Sequence, residues 1–254
     1  MADCSRRMNY NETARKSVEA WFQDLDNKIK YLKKLRAEER LTEAWILCVC
    51  YIDWLSCCLY GNQRDNYRYF VKALTEHGSE ELLTYIHGEY FCRQLVGLAR
   101  SKNNEWEKQA LDRIVKFIEE EKEKVSTRIR EQGNSINNIN CSADSSDGDN
   151  VSVELFRRDE LVDLAGKTSN IGANEIKTLE TELWRGTLAA IVYKKIRIPS
   201  VHGIGSGQVL SFGGSTFEGR PVSDIDFTMI CNCLENIASF ARAEPERVWN
   251  NLIN

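Results

Sequence analysis

Proline is scarce and late in this chain. Its 254 residues hold only Pro199, Pro221 and Pro245, so nothing before Pro199 carries the ring that breaks a helix interior. Histidine is equally scarce: His77, His87 and His202 stand apart from one another and from the two cysteine-bearing apolar runs. Nine cysteines are present, yet no two are spaced C-x-x-C. Cys48, Cys50, Cys57 and Cys58 fall in one apolar run, and Cys231 and Cys233 in another. That pattern excludes the common zinc and thiol-redox spacings, and it fits reduced thiols acting as small buried hydrophobes. No Asp/Glu/His grouping has metal-ligand spacing, so neither a metal nor another cofactor is expected.

A basic surplus is also missing. The formal net charge of −4 argues against a dedicated duplex-DNA binder, while leaving room for a local basic site. The first eleven residues, polar for the most part, lack the apolar core of a signal peptide. One run, Ala44 to Tyr60, is apolar enough to be weighed as a membrane span. It is short for that purpose and carries Asp53 in its middle, which is costly in lipid. A helix buried among other helices accounts for it better. A soluble, cytoplasmic protein with no membrane partner is the expectation.

What the chain does have is helical periodicity. Asn11 is placed to cap a first helix bearing Val18, Trp21, Phe22, Leu25, Ile29, Leu32 and Leu35. A polar turn at Glu38 to Arg40 precedes the apolar helix that ends at Gly61. Helices are expected over Asn66 to Glu76 and Ser79 to Leu98, with His77 and His87 near helix C-termini, where the dipole favours a cation. A long amphipathic helix over Asn104 to Gln132 places Trp106, Ala110, Ile114, Phe117, Ile118 and Val125 on one side. Residues 133–152, rich in Asn, Ser, Asp and Gly, read as a flexible polar insertion. It divides an N-terminal helical part, 1–132, from a C-terminal helical part, 153–254. Another helix is expected over Asn174 to Ile196, with Gly186 allowing close packing. Gln208 to Ser223 reads as a small β-hairpin. Ser223 with Asp226 looks like a capping box for a helix carrying Phe227, Ile230, Leu234 and Ile237. Pro245 suits the first position of a last helix, with Val248, Trp249, Leu252 and Ile253 facing inward. The fold class is therefore all-α, with one minor β element.

Three stretches invite a chemical reading. Gly166-Lys167-Thr168 lacks the earlier glycine of a phosphate loop, since position 161 is leucine, and no apolar strand feeds it. Arg64, Tyr67, Arg68 and Lys72 form a basic, aromatic-interleaved stretch that is either a solvated helix face or an RNA contact. The third stretch has the most chemistry. Arg197 stands five positions before His202, and a run of glycines (Gly203, Gly205, Gly207) follows. A histidine moves protons near neutral pH, and a guanidinium grips phosphate in a fixed fork. Lys194 and Lys195 add positive charge just before the pair, and Ser200 adds a hydroxyl inside it. The plainer alternative is that Arg197 caps the preceding helix and His202 opens a turn.

R-x-x-x-x-H at the end of a late helix, in a mainly helical chain, resembles the HEPN superfamily (higher eukaryotes and prokaryotes nucleotide-binding domains). Asp53-Trp54-Leu55-Ser56, Tyr60-Gly61 and Tyr69-Phe70-Val71 are similar to the N-terminal half of some bacterial HEPN-like proteins. The helix from Ile225 to Ile237, after a short hairpin, is similar to the end of that group. The resemblance implies a HEPN-like helical bundle with additional N-terminal helices that dimerises around two copies of the motif. It also implies a metal-independent endoribonuclease in a toxin or anti-phage role, with an antitoxin or regulatory protein as a further partner. Arg197 and His202 would be the catalytic pair, and Lys194, Lys195 and Ser200 would bind substrate. Ile204 stands where toxins silenced by a nucleotidyltransferase carry tyrosine, so that mode of control is not implied. A non-catalytic interaction or nucleic-acid-binding module is the alternative that the sequence leaves open.

Overall fold

The structure, a computed structural model, describes residues 12–61, 65–133, 155–194, 216–217, 220–221 and 225–252. Asn11, Arg64, Ser223, Ile253 and all but the first residue of the expected 133–152 insertion lie outside them. So do Lys195, Arg197, Ser200 and His202.

The protein is predominantly helical with a minor antiparallel β component. Its contacts divide it into two compact units. Unit 1 comprises Met1–Leu82, Val192–Val209 and Ile225–Asn254, and unit 2 comprises Leu83–Ile191 and Leu210–Asp224. Each unit thus draws on both the 1–132 and the 153–254 part of the chain.

Unit 1 begins with α1 (Glu12–Ala37), whose buried stripe runs Ala14, Val18, Phe22, Leu25, Ile29, Leu32, Leu35. That i, i+3/i+4 spacing sets one continuous apolar face against the core. Its solvent side carries i,i+4 ion pairs such as Lys16–Glu12 (2.9 Å) and Lys28–Asp24 (2.5 Å), each worth about 0.3–0.5 kcal/mol. The turn after it closes with Glu39 at φ 60° and leads into α2 (Leu41–Tyr60). Helix α2 is the central helix, buried at Trp45, Cys48, Val49, Ile52, Leu55 and Leu59. By length and composition it could cross a membrane, and half of its apolar window is buried inside the protein. Gly61 ends it at φ 96°, its N–H bonded to the Cys57 carbonyl, a conformation that favours glycine.

Helix α3 (Asn66–Ala73) starts at Asp65, whose carboxylate accepts from the Arg68 N–H at 3.2 Å. It runs into a π-helical turn, Leu74–Gly78. The expected helix over Ser79 to Leu98 is interrupted. A short α4 (Glu80–Thr84) is followed by strand β1 (Tyr85–His87), and only then by α5 (Gly88–Ser101).

In unit 2, α5 packs on α6 (Glu105–Gly133). Phe91, Leu95, Leu111, Ile114, Phe117 and Ile118 form the centre of its core. Trp106, expected on the buried side of α6, is instead half exposed. Strand β2 (Leu155–Arg157) pairs antiparallel with β1, Ile86 opposite Phe156. It leads into α7 (Arg158–Lys167), a helix the sequence reading passed over. The single helix expected over Asn174 to Ile196 is three pieces: α8 (Ala173–Glu182), a 3₁₀ turn Leu183–Gly186, and α9 (Leu188–Val192). The break has a steric reason. A Cβ on Gly186 would stand 2.7 Å from Phe91 Cβ and 2.8 Å from Ile86 Cγ2, so the backbone lies directly against both. Within the expected hairpin, β3 (Thr216–Phe217) pairs antiparallel with β4 (Arg220–Pro221).

Helix α10 (Phe227–Ala243) returns to unit 1 and packs on α2. Its cap is Asp226 itself, whose carboxylate accepts from the Met229 N–H at 2.8 Å. Helix α11 (Pro245–Leu252) follows with Pro245 at its first position. Val248 is fully buried, but Leu252 is 37% exposed, so the inward face is narrower than expected.

Candidate functional site

Of the five residues singled out, the described part holds one, Lys194. Its Nζ stands 4.6 Å from the centre of the Tyr67 ring on α3. A cation over an aromatic face at such a distance gains about 0.5–1 kcal/mol when exposed. Its neighbour Tyr193 is buried and fixes the approach: it lies 4.9 Å from Tyr67 and meets Phe70 edge-on at 5.0 Å. Tyr193 and Lys194 are thereby anchored on α3.

Helix α3 presents the basic, aromatic-interleaved stretch read from the sequence. Phe70, Val71 and Ala73 are buried, while Arg68 and Lys72 are exposed. Tyr69 stacks on Tyr60 at 5.8 Å and 19°. Two cations share the Tyr60 ring, Lys72 Nζ at 4.5 Å and the Arg247 guanidinium at 5.0 Å. Arg247 is held in place because its Nε–H donates to the Leu59 carbonyl at 2.6 Å. The result is a cluster of rings and cations built on α3, the end of α2 and α11.

Beside it the fold assembles a polar group that sequence reasoning missed. The Tyr60 hydroxyl donates to Glu76 Oε2 at 2.9 Å and lies 3.1 Å from His77 Nε2. With that proton committed to Glu76, the hydroxyl is left to accept from the imidazole, which assigns Nε2–H to His77. The ring also stacks on Phe240 at 3.6 Å and 12°. Burial is the main reason the His77 pKa is lowered. Glu76 opposes that shift, while Arg247 and Lys72 reinforce it. Burial and the Glu76 hydrogen bond push Tyr60 well up. His77 is therefore a neutral, tautomer-fixed imidazole in a π-helical turn, rather than a cation at a helix end. Its partners come from α2, α10 and α11, far away in the chain, so no local spacing marks them.

His87 also departs from expectation. It caps the N-terminus of α5, its Nδ1 accepting from the Tyr90 N–H at 3.3 Å, where a protonated ring could not accept. Among the described residues the cysteines are free thiols. Burial raises Cys92 to about 11 and Cys58 and Cys233 to about 12. No group of three or more His, Cys, Asp or Glu among the described residues could hold a metal ion.

No model of a known family, no curated protein and no solved structure matches this chain.

Proposed function

We propose that the protein is a metal-independent endoribonuclease working through Arg197 and His202. The observation that carries this reading is the anchoring of Lys194 on Tyr67. It sets the residue three positions before Arg197 on a helix lined with rings and cations, the surface chemistry that holds single-stranded nucleic acid. Tyr67 and Tyr69 are part-exposed rings on that helix, and Arg68, Lys72 and Lys194 beside them offer charge for phosphates. Lys195 and Ser200 are the further substrate-binding residues in this reading.

In the reaction, His202 takes the proton from an RNA 2′-hydroxyl as its oxygen attacks the adjacent phosphorus. The bond from phosphorus to the 5′-oxygen breaks, and a second histidine returns a proton to that oxygen. Arg197 holds the phosphate and stabilises the charge growing on its oxygens. One motif supplies one histidine, so the enzyme is a homodimer with His202 of each protomer in a shared cleft. The products are a 2′,3′-cyclic phosphate and a free 5′-hydroxyl, and DNA is inert. Such an activity suits a toxin or anti-phage role under the control of a regulatory partner.

Cleavage of a labelled single-stranded RNA in EDTA tests this. His202→Ala is expected to lose about 10²–10⁴-fold in rate. Arg197→Ala is expected to be crippled, with little recovery in Arg197→Lys, because a point charge does not reproduce the bidentate grip. If His202→Ala cleaves as well as the unmodified protein, the catalytic assignment fails and a non-catalytic RNA-binding or interaction module replaces it. Growth of cells expressing each variant reads the toxin role directly.

A further inference from the structure

Unit 2 has a concave site of its own. A cavity of about 280 Å³ opens where the end of α5, the start of α6 and α8 meet, lined by Leu98, Lys102, Trp106, Asn174, Lys177 and Thr178 among others. Trp106 is 50% exposed. A half-exposed indole at the mouth of a cleft is an unusual use of the largest apolar side chain. Beneath it, Ala110 and Leu111 close the floor.

The charges around the cleft largely cancel. Lys102 pairs with Glu107 at 2.9 Å, and Glu182 pairs with Arg185. Among the described residues Lys177 has no acidic partner, so one cation is left over beside the indole. The Thr178 hydroxyl donates to the Asn174 carbonyl at 2.9 Å, which leaves its lone pairs free to accept. The site thus offers a ring face, one uncompensated ammonium, a hydroxyl acceptor and an exposed amide. Its volume is at the small end of ligand pockets, too small for a helix and adequate for one planar ring with a charged appendage. A base with its phosphate matches that set, because every base has a π-face and each phosphate carries one negative charge.

We infer that this cleft is an accessory subsite for single-stranded RNA, one base stacking on Trp106 while its phosphate meets Lys177. The inference rests on RNA being the substrate and adds a contact outside the Arg197/His202 motif. It requires an unpaired strand, since a base inside a duplex has no free face to offer.

Binding of a fluorescent oligoribonucleotide in EDTA, measured in the full-length His202→Ala protein, tests it apart from cleavage. Trp106→Ala is expected to weaken binding about ten-fold, within the range for losing one base–aromatic stack. Trp106→Phe is expected to recover most of that loss, because a phenyl ring also stacks. Lys177→Gln is expected to lower the slope of log affinity against log salt by about 0.7, one phosphate contact on a single strand. Both side chains are solvent-exposed, so circular dichroism should show the variants folded. Unchanged affinity in Trp106→Ala, or an unchanged salt slope in Lys177→Gln, overturns the inference. Binding of adenosine monophosphate as tightly as the oligomer also overturns it, since the cleft would then serve a free nucleotide. Because the assay reads binding alone, loss of this subsite with RNA cleavage intact leaves the nuclease proposal standing.

Discussion

A proton on His77 is costly where the fold holds it. The ring is 17% exposed, lies against Phe240, and faces Arg247 and Lys72 as well as Glu76. Its folded pKa falls below the ordinary 6.5, so between those two values the unfolded chain binds the extra proton. Stability is then present in full above about pH 6.5 and is lost as pH falls from there through the lowered folded value. The midpoint of urea unfolding should accordingly fall between about pH 7 and pH 5, and His77→Gln should flatten that decline. A decline equally steep in His77→Gln would place the acid sensitivity elsewhere. The cysteines make a second prediction at this scale. With Cys92 near 11 and Cys58 and Cys233 near 12, they carry almost no thiolate at about pH 8, and only the thiolate reacts with alkylating agents. Iodoacetamide followed by peptide mass spectrometry should leave these three unlabelled in the native protein and label them in urea. The burial of Cys58 and Cys233 was readable from the apolar runs around them, whereas Cys92 lies in neither run. The opposite fates of His77 and His87 were not readable, because each depends on which partner reaches the ring.

Gly186 decides the shape of its element. An added methyl would collide with Phe91 and Ile86, and Phe91 is fully buried, so it has no solvent side to retreat to. Gly186→Ala should destabilise the protein by about 1–3 kcal/mol, the usual range for overpacking a filled core, as read by the urea midpoint. Gly97→Ala, where an added Cβ meets nothing within 4 Å, is the helical control and should be neutral or slightly stabilising. The two glycines look alike in sequence, each inside an apolar helical pattern, and only the surroundings separate them. Legibility elsewhere follows the same line. Helices α1, α2, α6 and α10 were readable because each repeats its apolar positions over many turns, and Gly61 and Pro245 mark ends that local backbone chemistry sets. Strand β1 was not readable. Its three residues are extended because Leu155–Arg157 pairs with them, a partner far along the chain. Helix α7 is short and buries only Leu161 and Ala165, too few positions to set a clear helical period. In the structure Lys167 closes that helix and the Thr168 hydroxyl donates to the Leu164 carbonyl at 2.8 Å. The aromatic and basic residues of α3 were visible as a stretch, but the pairing of Tyr60 with Lys72 and Arg247 was not.

At the scale of the molecule, the proposed chemistry makes a demand on assembly, because one chain carries one Arg197/His202 pair and the reaction uses two proton carriers. Light scattering coupled to size exclusion should report a mass of twice 29.2 kDa, and mixed dimers of unmodified and His202→Ala chains, which hold one histidine of the two, should cleave RNA far more slowly than the unmodified dimer. A strict monomer at micromolar concentration would remove the shared cleft.

The make-up of unit 1 also bears on how a cell produces it. Helix α2 is made well before α10, one of the helices that cover it, which begins only at Phe227. At ordinary rates of synthesis the interval between them is roughly 10–30 s. For that time a helix apolar enough by length and composition to span a bilayer lacks part of its cover. Unit 2 is largely made meanwhile, so the middle of the chain can settle first. Chaperone dependence and misdirection to membranes should therefore both trace to α2, and they should worsen when translation slows between Tyr60 and Phe227.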